Sequence, residues 1–133
     1  MAEIYVARSA KLSKWASDVG LGKNVFKVGV ADDPKPLIEA GWAGETDWQL
    51  LKKQPVEDLD EDAVIERLAR KGKMIDPTYY PRLKGTRGVF RITPEQVENH
   101  IMIARAMARV DELKVVKLKP VDFAQFLINN AVR

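Results

Sequence analysis

The sequence predicts an α/β (α+β) domain: a small central antiparallel sheet of about three strands flanked by helices, with a C-terminal strand–helix extension. Two observations predict it. Short β-prone runs, Ile4-Tyr5-Val6-Ala7 and Val25-Phe26-Lys27-Val28-Gly29-Val30, are joined by about 18 residues carrying apolar side chains at helical spacing. Later segments carry helix-start chemistry, clearest at Thr93-Pro94-Glu95-Gln96. At 133 residues, 46% hydrophobic and 31% charged, the chain suits one folded domain and not a disordered one.

In chain order, Leu12, Trp15, Ala16 and Val19 set a short helix between the first two strands, and Gly20-Leu21-Gly22 ends it. Asp32-Asp33-Pro34 follows the second strand, so an Asp caps a helix whose first residue is Pro. Gly41 and Gly44 keep that helix short, and Trp48-Gln49-Leu50-Leu51 is a third strand. Five acids within Glu57–Asp62 open a helix through Ala63–Arg70, with bases at its end to match the macrodipole and Gly72 as its stop. Residues 71–88 hold Gly72, Pro77, Pro81, Gly85 and Gly88 and read as loop. Gly88-Val89-Phe90-Arg91-Ile92 is a short strand. The capping box then opens a helix running to around Asp111, Val115–Leu118 is one more strand, and Val121–Val132 a last helix. The expected division is residues 1–107 and an extension, 108–133, packed on the same domain.

Composition excludes several chemistries. There is no Cys, so disulfides, thiolate zinc sites and Cys nucleophiles are ruled out, and a single His, His100, cannot build a multi-His metal site. No apolar run approaches the ~20 residues of a membrane helix. The opening MAEIYVARSA lacks the layout of a signal peptide. A cytoplasmic protein with no membrane partner is therefore expected.

Charge is distributed unevenly. The net charge is only +3, yet Arg70, Lys71, Lys73, Arg82, Lys84, Arg87 and Arg91 face Asp76 alone between positions 70 and 91, leaving +6 in that window. Tyr79 and Tyr80 lie inside it. Cations neutralise phosphates and tyrosines stack on bases, so these nine residues form a candidate nucleic-acid surface. The competing reading is a solvated loop that pairs with the acidic run before it.

The order of elements resembles the GIY-YIG nuclease superfamily. The pieces are Ile4-Tyr5-Val6, Lys27-Val28-Gly29-Val30, Asp32-Asp33-Pro34-Lys35, a helix containing Glu66, a basic loop, and Gly88-Val89-Phe90-Arg91-Ile92-Thr93. They span roughly residues 3–104. The second triplet begins with Lys, as in a phage and bacterial branch. The resemblance implies a divalent-metal-dependent phosphodiesterase, with DNA favoured over RNA. Tyr5 would activate water or attack, Lys27 would stand in for the second tyrosine, Lys35 would supply charge on the first helix, and Glu66 would hold Mg²⁺ or Mn²⁺. A cation and a metal suit the negative charge that grows on a phosphoryl group in hydrolysis.

One part of that kit is missing. The family's helix arginine has no counterpart, since no Arg lies between Arg8 and Arg67. Lys35 lacks the bidentate fork that matches phosphate, and Arg8 is a candidate substitute. The chain is thus either an endonuclease with a relocated cation or a catalytically degenerate DNA- or RNA-binding derivative. The alternative from another class is a protein–protein adaptor or homodimeric regulatory module.

Overall fold

The computed structural model describes residues 2–107 and 118–132. Five strands, β1 (Glu3–Ser9), β2 (Val25–Ala31), β3 (Trp48–Pro55), β4 (Lys73–Met74) and β5 (Val89–Arg91), form one antiparallel sheet in the order β3-β1-β2-β5-β4. The helices are α1 (Ala10–Asp18), α2 (Pro34–Ala40), α3 (Glu61–Lys71), α4 (Pro94–Met107) and α5 (Pro120–Val132).

The α+β class is as expected, but the sheet has five strands where about three were expected. The fifth, β4, is two residues long and lies in the segment read as loop; it pairs with β5, Lys73 opposite Arg91. Two residues are too few to show a period, so no pattern announces such a strand. β3 continues to Pro55 instead of stopping at Leu51. As an edge strand carrying exposed Gln49 and Lys53, it lacks the apolar run that marks a central strand. Most of the strand expected at Val115–Leu118 lies outside the described residues, as does the end of the helix after Met107.

Strand alternation sorts the sheet into two faces. Ile4, Val6, Phe26, Val28 and Phe90 point to one face, where Val64, Ile65 and Leu68 of α3 and Phe123, Leu127 and Ile128 of α5 cover them. Phe26 and Phe123 stack there at 5.3 Å. Ala7, Val25 and Val89 point to the other face and meet Leu12 and Ala16 of α1 together with Trp48, Ile75 and Leu83. Tyr5, Lys27 and Gly29 share this second face by the same alternation.

The helix starts follow the sequence. Ser9 caps α1, accepting from Leu12 N at 3.1 Å while its hydroxyl donates to Asp47 at 2.5 Å. Asp33 caps α2, which begins with Pro34, and Asp60 caps α3. Gln96 reaches back to accept from Thr93 N at 3.0 Å, closing the capping box of α4. Among the described residues no helix is long and apolar enough to cross a membrane.

Candidate functional site

Tyr5 and Lys27 come together as the strand pattern requires. Tyr5 stands opposite Gly29 on neighbouring strands, and Lys27 is two residues from Gly29 on the same face. Both are buried, Tyr5 to 1% exposure and Lys27 to 4%. Trp42, from the turn after α2, covers them: its ring stacks on Tyr5 at 5.9 Å, and the Lys27 ammonium lies 5.4 Å from its centroid. Trp48 holds Trp42 in place edge-on at 5.2 Å, and its indole N–H donates to the Trp42 carbonyl.

The carboxylate beside this pair is Glu61, the first residue of α3. β5 begins only at Val89, so the N–H of Val30 on β2 lies past its reach and has no strand partner; Glu61 Oε1 accepts from it at 3.1 Å. The same oxygen and the Tyr5 phenol crowd Gly29. A Cβ at that position would fall 2.3 Å from Tyr5 Oη and 2.6 Å from Glu61 Oε1. The glycine of the Lys27-Val28-Gly29 triplet is therefore required sterically, because the phenol and carboxylate meet over its Cα. Gly88 does similar work just before β5. Its φ is +79°, and a Cβ there would sit 3.1 Å from Lys27 Nζ and 2.6 Å from the Val28 carbonyl.

Burial sets the electrostatics. The Tyr5 phenol is pushed above its ordinary range, first by desolvation and then by the Glu61 charge. Lys27 is lowered to about 8, chiefly by burial and further by Arg87, while Glu61 opposes the shift. Its ammonium donates to the Val28 carbonyl at 2.9 Å. Such a phenol keeps its proton near neutral pH, which suits a hydrogen-bond donor better than a nucleophile. Trp42 also stands between it and any phosphate outside.

The other residues of the nuclease kit are placed elsewhere. Glu66 is exposed on α3 and pairs with Arg70 one turn on, pointing away from the side that carries Glu61. Glu66, the residue expected to hold Mg²⁺ or Mn²⁺, thus stands apart from Tyr5 and Lys27, and the carboxylate beside them is Glu61, one oxygen of which accepts from Val30 N. Among the described residues there is no group of three acids or histidines that could share a metal ion. Lys35 is exposed in the first turn of α2. Arg8 does not substitute for the missing arginine, because it lines a cavity with Phe26 and Phe123 on the opposite face from Tyr5. The guanidinium near Lys27 is Arg87, which also pairs with Asp62 at 3.0 Å.

The basic window divides in two. Arg70, Arg82 and Arg87 pair with Glu66, Glu45 and Asp62. Arg82 also donates to the Ala43 carbonyl at 2.6 Å, strapping its loop to the turn before β3. Lys84 lies against Gly44, and Lys71 donates to the Asn130 carbonyl of α5. Lys73 and Arg91 differ. They are directly opposed across β4 and β5, their side chains share one face, and neither has an acidic partner among the described residues. They line adjoining cavities of about 410 and 300 Å³; Tyr80 and Leu21 wall the first, Leu21, Thr93 and Gln96 the second, and no carboxylate among the described residues lines either. Tyr80 is half-buried, edge-on to Trp15 at 5.8 Å, and Tyr79 beside it is 75% exposed.

No family model, characterised protein or solved structure matches this chain. The likeness to GIY-YIG proteins therefore rests on the residues themselves. Sequence reasoning missed Glu61. It was one of five acids in a run, and only the seating of α3 on the sheet singles it out. Trp42 is an aromatic whose sequence context suits packing, and it packs on Tyr5 and Trp48.

Proposed function

We propose that this protein binds nucleic acid through the groove lined by Lys73, Arg91 and Tyr80, as a GIY-YIG-like module in which Tyr5 and Lys27 have become part of a buried structural cluster. One observation carries the reading: the cations Lys73 and Arg91, without an acidic partner among the described residues, stand side by side across β4 and β5. Like charges directly opposed on one face of a sheet repel. A phosphate seated between them relieves that repulsion and accepts from both. Tyr80 supplies an aromatic edge at the groove wall, and Tyr79 an exposed ring for a base to rest on. The burial of Tyr5, the surface pairing of Glu66 and the protonated phenol all favour binding over hydrolysis.

The test is fluorescence anisotropy with a labelled single-stranded oligonucleotide and a labelled duplex, across a salt series. Binding that weakens as salt rises, and is reduced in Lys73→Ala/Arg91→Ala, supports the groove. Binding unaltered in that variant refutes it.

A second reading is favoured by the convergence of Tyr5, Lys27 and Glu61, with Arg87 nearby: a divalent-metal-dependent endonuclease in which Glu61 replaces Glu66. Supercoiled plasmid incubated with protein and Mg²⁺ or Mn²⁺ decides between them. Nicking that disappears in Tyr5→Phe and Glu61→Gln establishes the enzyme. Intact plasmid alongside a salt-sensitive shift establishes the binder. A dimer that ignores nucleic acid points to the adaptor.

A further inference from the structure

We propose a second ligand site, for a nucleoside 5′-phosphate, in the cavity where β1 ends and β2, α4 and α5 begin. The cavity measures about 290 Å³, near the small end of the ~300–1,000 Å³ that small-ligand pockets occupy. Arg8, Lys23 and Lys119 line it, and among the described residues no carboxylate does. None of the three has an ion-pair partner among the described residues. The nearest acid in sequence, Asp122, accepts from Lys119 N at 2.8 Å as a cap of α5.

Three cations exceed what a single carboxylate needs. They match a phosphate monoester, which carries about −1.5 to −2 at neutral pH. Phe26 and Phe123 give it apolar lining, and Asn24, which carries a side-chain amide, lines it too. An amide carries both a donor and an acceptor, the complement of a base edge. An inorganic anion would leave the apolar lining uncovered, and a long-chain lipid would need a deeper cavity.

The position agrees with this ligand. The cavity adjoins the Lys73–Arg91 groove: Thr93 lines the groove and Pro94, the next residue, lines this cavity. The wall between them is held by Ile92 N donating to the Asn24 carbonyl at 3.0 Å. A strand lying in the groove therefore reaches the cavity around one connecting segment. The inference deepens the nucleic-acid reading and rests on it for the strand as a source of the nucleotide.

Isothermal titration with adenosine 5′-monophosphate, adenosine, inorganic phosphate and a 5′-phosphorylated tetranucleotide tests it. The monophosphate is expected to bind at least tenfold more tightly than adenosine or phosphate alone. Arg8→Ala/Lys119→Ala is expected to weaken it tenfold or more, while Lys73→Ala/Arg91→Ala changes it less than twofold. Lys23→Glu, at an exposed position, repeats the loss should the double variant fail to fold. A tetranucleotide that outcompetes the monophosphate names a strand as the source; the reverse order names the free nucleotide. The site is overturned by an absence of monophosphate binding at millimolar concentration, by phosphate alone binding as well, or by equal loss in the groove variant. A failed groove leaves monophosphate binding intact, so the two proposals fail separately.

Discussion

The sheet face that looks away from α3 and α5 carries two polar regions, and they are built in opposite ways. Around Tyr5, Lys27 and Glu61 the phenol and ammonium are buried under Trp42, the carboxylate is half-buried, and Lys27 and Glu61 are hydrogen-bonded to neighbouring backbone. Around Lys73 and Arg91 they stand at the surface, opposed to each other and without an acidic partner among the described residues. The two lie on neighbouring stretches of one strand: Gly29 faces Tyr5, and Val25, four residues back, faces Arg91, roughly 13 Å away along β2. In the first region a charge adds specificity at a cost in desolvation. In the second, charge is kept hydrated and ready for an anion. The difference teaches that a motif's residue types do not by themselves mark a working site; their solvent access does.

Overfilling the buried region should separate the two most sharply. In Gly29→Ala the new methyl meets Tyr5 and Glu61, and the phenol cannot retreat beneath Trp42. Loss of about 3 kcal/mol is expected in urea denaturation. Binding at the groove by the folded fraction should be unchanged; a loss of binding with stability intact would contradict the separation.

The pH dependence of stability probes the same cluster. Lys27 titrates at about 8 in the fold against ~10.4 in the unfolded chain, so between those values the unfolded state holds more protons. Its contribution to stability is fully present above ~10.4 and is lost as pH falls through 8. Tyr5 is raised, so its contribution is present below its unfolded value near 10 and is lost above it. Lys27→Met should flatten the rise between pH 8 and 10 by an amount on the order of 2 kcal/mol, and Tyr5→Phe should soften the fall above pH 10. Identical profiles for Lys27→Met and the parent chain would show that the lysine is solvated.

At the groove, Lys73→Ala/Arg91→Ala should weaken oligonucleotide binding about tenfold, or ~1.4 kcal/mol. The log–log salt slope should become shallower by roughly 1.4 for single strands, from two lost phosphate contacts. Stability should rise slightly or stay within ~0.5 kcal/mol, because the variant removes a like-charge pair. A clear loss of stability would make the pair structural.

The smallest effect is expected at Glu66. Its partner Arg70 is exposed on the same helix, and surface pairs one turn apart contribute only about 0.3–0.5 kcal/mol. Glu66→Ala should therefore leave stability and any nucleic-acid activity nearly as they were. A plasmid-nicking activity abolished by this change would restore Glu66 to the role its position in the chain suggested.

Much of the architecture was legible residue by residue. The β-branched runs marked β1 and β2, Asp33-Pro34 and Thr93–Gln96 announced the starts of α2 and α4, and the acids and bases at the ends of α3 gave its polarity. These features are local: each follows from a few consecutive side chains acting on their own backbone. That Tyr5 and Lys27 share a face follows only from the register of β1 against β2, with Tyr5 opposite Gly29.

What local chemistry left open was decided by packing. Glu61 and Glu66 are equally plausible carboxylates on one helix, and the rotation of α3 against β2 brings the first to Val30 and leaves the second in water. Seven cations crowd one window, but acids distant in the chain, Glu45 and Asp62, neutralise Arg82 and Arg87 and leave Lys73 and Arg91 exposed to an anion. Arg8, on the first strand with Tyr5, ends on the opposite side of the sheet. Strand period and helix caps act over a few residues, so the chain's letters determine them; which charges meet and which remain in water depends on distances across the fold, and only the folded arrangement determines those.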